Sequence, residues 1–134
     1  MDDLPDAPAY PGDRVARRTA PPLLVSCLCA AWCRTCDEYL PIFESLAEEF
    51  RGSARFTWVD IEDDEAALGV VDVVDFPTLL IAKGDAPLFF GPVLPHARTA
   101  RGLIEHALTG SLPPVTDAAL DGLPSRISAL CANR

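Results

Sequence analysis

An α/β layered domain is the fold class this sequence predicts, and three observations carry the prediction. The chain has 134 residues, about the length of one domain. Its composition is 49% hydrophobic and 23% charged, enough to build a core and too apolar for a disordered segment. Its patterned stretches run strand, helix, strand, helix, strand, strand, helix, which is the alternation of an α/β fold. No internal repeat is visible.

Residues 1–22 lack sustained periodicity, and Gly12 to Thr19 is expected to form at most a short helix ended by Pro21-Pro22. Leu23–Ala30 is a short apolar run suited to a strand buried on both faces. It leads directly into Trp32-Cys33-Arg34-Thr35-Cys36. Tyr39, Leu40, Phe43, Leu46, Ala47 and Phe50 then recur at helical spacing, and Gly52 supplies a stop. Phe56–Ile61 predicts a second strand, and Ala66–Val71 a short helix after the acidic turn Glu62 to Glu65. Phe76–Ala82 predicts a third strand, with Pro77 near its start where a missing N–H is tolerated. Lys83-Gly84-Asp85 turns the chain into a fourth strand, Pro87–Phe90, giving an antiparallel hairpin. Thr99–Leu108 is an amphipathic helix closed by Gly110, and residues 116–132 predict one or two further short helices. The 13 prolines, about twice average usage, gather mostly before Leu23 and after Asp85 and mark turns and loose ends.

Eleven basic residues against 20 acidic ones leave a net charge of −9. Such a balance argues against nucleic acid and against an anionic membrane surface as partners. Arg14, Arg17 and Arg18 read as a solvated stretch. The longest uncharged run, Thr19 to Cys33, is 15 residues with two prolines, too short to span a bilayer. Leu24-Val25-Ser26-Cys27 resembles a lipoprotein cleavage signal, but Asp2, Asp3 and Asp6 precede it, and cleavage there would remove a strand the fold needs. The expected location is the cytoplasm.

Four of the five cysteines fall within ten residues: Cys27, Cys29, Cys33 and Cys36. Cys33 and Cys36 stand where a strand ends and a helix begins. Unpaired amides and the positive end of the helix dipole stabilise a thiolate there. The thiolate is the nucleophile of disulfide exchange, and cysteines so placed have pKa values of about 3.5–7.5. Cys36, one turn on and on the same face, is positioned to close a disulfide with Cys33. A bare C-x-x-C is equally compatible with half of a zinc site.

The context decides between these. Ala31-Trp32-Cys33-Arg34-Thr35-Cys36, the strand before it, the helix after it, Pro41, Asp60, Phe76-Pro77-Thr78-Leu79 and Gly91 together resemble the thioredoxin family. The separation 77 − 33 = 44 suits that resemblance, which covers roughly residues 23–110. It implies a three-layer fold with a central mixed sheet of about four strands flanked by helices. Residues 1–22 are then a poorly structured amino-terminal segment, and residues 111–134 a helical carboxyl-terminal extension. It further implies that Cys33 attacks and Cys36 resolves, with Trp32 flanking the exposed thiol. Pro77 takes the place of the family's cis-proline, and Phe76 and Thr78 lie in the groove where the substrate backbone pairs. Pro41 corresponds to the proline that kinks the active-site helix, although its spacing alone suits any helix kink.

Two departures from the family pattern stand out. Arg34-Thr35 replaces the usual Gly-Pro, placing a permanent cation beside Cys33. That favours the reduced form within a family range of roughly 150 mV, on the order of 7 kcal/mol. Asp37 and Glu38 oppose the effect. Cys27 falls where the family has a buried aspartate, and the lysine paired with that acid falls at or near Phe56. A thiol is a poor general base, so resolution slows, or water or substrate supplies the base, or Cys27 itself exchanges with the active-site disulfide. Cys27 and Cys29, two apart on a strand, face the same way. They are either a second redox pair or two small core residues, and cysteine's tendency to be buried favours the core. No role is assigned to Cys131, His96 or His106.

The expected function is that of a protein-disulfide oxidoreductase using Cys33 and Cys36, acting as a reductant in a compartment that keeps thiols reduced. It needs no cofactor and no metal, and its partners are proteins with disulfides or thiols together with a thioredoxin reductase or glutathione. The alternatives are a binding or adaptor module that keeps the fold with non-catalytic or regulatory cysteines, and a cysteine-ligated zinc site.

Overall fold

A computed structural model describes residues 23–132. The short helix expected within Gly12 to Thr19 and the segment 1–22 lie outside the described residues. Four strands and four α-helices follow: β1 (Leu23–Cys29), α1 (Arg34–Glu49), β2 (Ala54–Asp60), α2 (Glu65–Leu68), β3 (Thr78–Lys83), β4 (Ala86–Pro92), α3 (Ala97–Leu108) and α4 (Leu123–Ala132). A 3-10 turn, Ala118–Leu120, precedes α4.

The sheet order is β2-β1-β3-β4. The pairing of β1 with β2 is parallel, placing Cys27 beside Trp58 and Cys29 beside Asp60. That of β1 with β3 is antiparallel, with Cys27 opposite Leu79, and β3 continues into β4 as the expected hairpin. All seven residues of β1 are buried, as its apolar run predicts for a central strand covered on both faces. The same burial places Leu24 to Cys27 inside the domain core.

Alternation along β1 divides the core in two. Leu23, Val25, Cys27 and Cys29 join Leu79 and Ile81 of β3 beneath Tyr39, Phe43 and Leu46 of α1 and Ala100, Ile104 and Ala107 of α3. Leu24 and Leu28 face the other way and pack with Val59, Leu80, Leu120, and Leu123 and Ile127 of α4. The result is a helix–sheet–helix arrangement in three layers.

Boundaries moved where tertiary contacts overrode local pattern. The strand expected from Phe56 starts at Ala54, because the parallel ladder with β1 reaches Leu23. The strand expected from Phe76 enters the ladder only at Thr78, after Pro77, which has no N–H to donate. The helix expected over Ala66–Val71 stops at Leu68, where Gly69 takes φ +61°. A Cβ at Gly69 would stand 2.9 Å from the Arg126 guanidinium. Arg126 comes that close because its Nε donates to the Ala67 carbonyl at 2.7 Å, tying α4 to the end of α2.

Candidate active site

The site lies at the carboxyl end of β1. After Cys29 the chain makes a tight turn through Ala31 and Trp32, and the Cys33 N–H donates to the Ala30 carbonyl at 3.0 Å. Cys33 is the N-cap of α1 in extended geometry, one residue before the helical turn in which the sequence placed it. The Asp37 N–H donates to its carbonyl at 3.2 Å, starting the helical ladder. No side chain caps this terminus, so first-turn amides remain available to negative charge. Cys33 is a free thiol of intermediate exposure that packs against the inner cluster.

Cys36 lies in the first turn of α1, 2% exposed on the inward face. Its sulfur is bonded to Cys29, with a Cα–Cα separation of 5.9 Å. Residue spacing predicts a Cys33–Cys36 pairing and Cys29 as core filling, whereas Cys29 is the disulfide partner of Cys36. The physical reason is the common direction of the two side chains. Cys29 ends β1 on the face that α1 covers, and its carbonyl is fixed by the Ile61 N–H at 2.9 Å. Cys27, fully buried, places its sulfur 3.5 Å from that of Cys29. Since Cys29 carries no proton in a disulfide, Cys27 is the donor. Burial pushes the Cys27 thiol far above its ordinary range, so it remains protonated.

Trp32 and Phe76 form the rim. Trp32 is 66% exposed, and its ring meets Phe76 edge to face at 5.4 Å. The Phe76–Pro77 peptide is cis. Pro77 and Thr78 are buried, and the Pro77 carbonyl accepts from the Val93 N–H at 3.0 Å. The Thr78 hydroxyl donates to the Asp75 carbonyl at 2.6 Å, pinning the turn that carries Phe76. Arg34 is exposed at the start of α1, and Thr35 is half-buried. Pro41 sits inside α1.

At the two positions where the family pattern has an ion pair stand the buried Cys27 and the partly buried Phe56, which packs among aromatic rings. Phe56 meets Phe43 edge to face at 5.2 Å, and Trp58 meets Phe43 at 5.6 Å. Among the described residues no Asp or Glu is buried in this layer, and Asp60 accepts the Glu62 N–H at 2.8 Å and organises the turn after β2. The described residues contain no group of three or more His, Cys, Asp or Glu arranged to hold a metal ion. None of their helices is long and apolar enough to cross a membrane.

The family model described as thioredoxin matches residues 13–93. A thioredoxin of Staphylococcus aureus is 29% identical over 59 residues, which span 44% of this chain and 57% of that protein. Among solved structures, a Fasciola hepatica thioredoxin superposes with a TM-score of 0.59 at 24% identity, covering 69% of this chain and 86% of that one. The germline-specific thioredoxin Deadhead of Drosophila melanogaster gives 0.58 at 20% identity, with the same coverage. At these identities the structural likenesses speak for the fold alone.

Proposed function

We propose, from the premise that this chain belongs to the thioredoxin family, that it is a thiol–disulfide oxidoreductase acting on protein disulfides, working as a reductant in the cytoplasm. The observation that carries the reading is the placement of Cys33, a free and half-exposed thiol at the uncapped start of a 16-residue helix. In this reading the Cys33 sulfur attacks one sulfur of a substrate disulfide, and the other leaves as a thiolate and takes a proton from solvent. Cys36 then attacks the Cys33 sulfur of the mixed disulfide, releasing the second substrate thiol. The substrate gains two electrons and two protons, and the Cys33–Cys36 pair loses them.

The surrounding groups act by position. First-turn amides and the Arg34 cation face the negative charge on the attacking and departing sulfurs. Thr35 spaces the two cysteines by one turn. The exposed Trp32 and the half-buried Phe76 offer an apolar rim to an extended substrate segment, and the Phe76 backbone pairs with it beside its cysteine. Pro77 and Thr78 hold that backbone in place through the Val93 and Asp75 contacts. Residues 23–110 form the redox unit. A thioredoxin reductase or glutathione recharges the pair.

Reduction of insulin disulfides with a dithiol supply tests the reading. Wild-type protein should precipitate the insulin B chain, and Cys33→Ser should fall to the uncatalysed rate. Wild type no faster than Cys33→Ser would favour a non-catalytic binding module, a reading that the engagement of Cys36 with Cys29 gives some ground for. A potential for the active-site couple near or below the glutathione poise would support reduction as the direction; one far above it would make the protein an oxidant.

A further inference from the structure

We infer that Cys29 is a second catalytic thiol of this site: it competes with Cys33 for Cys36, so that the oxidised protein stores its disulfide in the core as Cys29–Cys36 and keeps Cys33 as a free nucleophile. The inference rests on the oxidoreductase reading above and adds a residue that reading does not use.

Geometry supports it from two sides. Cys33 caps the helix at the solvent edge, whereas Cys29 ends the central strand beneath it, and Cys36 lies in the first turn of the same helix, bonded to Cys29. The 5.9 Å Cα separation falls inside the range of about 4.4–6.8 Å over which two cysteines bridge. Both bonded cysteines are almost wholly buried, at 1% and 2% exposure. An external reductant therefore has no path to either sulfur, and electrons must enter through Cys33.

The exchange balances without an added reagent. Starting from Cys33–Cys36, the Cys29 sulfur attacks the Cys36 sulfur, the Cys33–Cys36 bond breaks, and Cys33 leaves with the electron pair. The proton given up by Cys29 is recovered by Cys33 from solvent, and no net electrons move. In the reverse direction Cys33 attacks Cys36 and Cys29 leaves. Cys27, 3.5 Å from the Cys29 sulfur and protonated, donates to the charge that develops there. Cys27 is thus a positioning residue that supports departure of Cys29. In the stored state Cys33 still captures a substrate disulfide, but Cys36 cannot release it. The substrate's own second thiol must then resolve the intermediate, which rearranges disulfides instead of reducing them.

Peptide mapping tests this on the full chain. Cleavage after Trp32 and after Arg34 places Cys29, Cys33 and Cys36 on three separate peptides. Protein oxidised by turnover on insulin is quenched in acid, alkylated with N-ethylmaleimide and digested. The expected map links Cys29 to Cys36 and shows alkylation at Cys33; in Cys29→Ser the label at Cys33 is lost and Cys33 is linked to Cys36. Reduction of the buried bond by dithiothreitol should be slower in Cys33→Ser than in wild type. A wild-type map with Cys33 linked to Cys36 and Cys29 alkylated overturns the inference, whether or not Cys29→Ser folds. Equal dithiothreitol rates in wild type and Cys33→Ser also overturn it, since the bond would then be purely structural. Insulin turnover lost in Cys33→Ser alongside either result leaves the oxidoreductase reading standing, whereas turnover unaffected by Cys33→Ser removes that reading itself.

Discussion

The two faces of the central sheet are built from the same strands and differ in chemistry. Under α1 and α3, sulfur and aromatic rings (Cys27, Cys29, Cys36, Tyr39, Phe43, Phe56 and Trp58) share the core with Leu23, Val25, Leu46, Leu79, Ile81 and Ile104. Under α2 and α4 the buried hydrophobic side chains are aliphatic, among them Leu24, Leu28, Val59, Leu80, Leu123 and Ile127, and Ser26 of β1 is buried between the two leucines of that strand. One face ends at the surface in Cys33, Trp32 and Phe76, so its core is continuous with the site. The other ends in no reactive group and contributes mainly transfer free energy and packing. A strand buried on both sides thereby sets Cys27 and Cys29 on one face and Leu24 and Leu28 on the other.

Truncating the aliphatic face is the strongest test of that division. Ile127→Ala removes a fully buried side chain and should cost about 2–5 kcal/mol in urea unfolding of the reduced protein. The disulfide map and the insulin turnover per folded molecule should stay unchanged. A shift in cysteine pairing in this variant would show that the two faces are coupled.

A second test probes the sulfur face through alkali. Burial raises both the Cys27 thiol above its ordinary 9.0 and the Tyr39 phenol above its ordinary 10.0, with the nearby Cys27 adding to the rise at Tyr39. Folded values above unfolded ones mean that this stability is fully present below about pH 9 and is lost as pH rises, because only the unfolded chain releases the protons. The unfolding free energy from urea titration should fall above pH 9, by up to about 1.4 kcal/mol per pH unit for each group that only the unfolded chain deprotonates. The Tyr39 hydroxyl is buried and has no hydrogen-bond partner among the described residues. Tyr39→Phe should therefore leave stability at pH 7 unchanged or higher by up to about 1 kcal/mol, and make the fall above pH 10 shallower. A loss of stability at neutral pH would reveal a partner for the hydroxyl.

The smallest effect lies outside both faces. Glu49 of α1 accepts from Arg101 of α3 at 2.9 Å, and that hydrogen bond holds its carboxyl below the ordinary 4.5. This contribution is present above pH 4.5 and lost as pH falls through the lower folded value. The pair is exposed, so Glu49→Gln should change acid stability only slightly, and less still at high salt.

Much of this was legible from residue pattern. The order of elements, the burial of β1, the hairpin and the helical carboxyl-terminal residues follow from periodicity and from glycine and proline positions. Trp32, Cys33, Cys36, Phe76 and Pro77 were legible as a candidate set because their spacing and context are specific, and the structure gathers Trp32 and Phe76 in ring contact. Less legible was the part played by Cys29. The two-residue period put Cys27 and Cys29 on one face, and the first helical turn put Cys36 on the inward side. Joining those two facts requires the distance between a strand end and a helix start, which no local pattern contains. The role of Arg126 at Gly69 was hidden for the same reason, since 57 residues separate them.

The order of strands and helices, and a C-x-x-C at the start of α1, follow from the residues alone, because period and turn residues act over a few neighbours. Which sulfur Cys36 meets, the gathering of Phe43, Phe56 and Trp58 into one aromatic group, and the packing of α4 on the opposite face came from the three-dimensional arrangement. Those outcomes depend on separations across the sheet, set by packing of the whole domain.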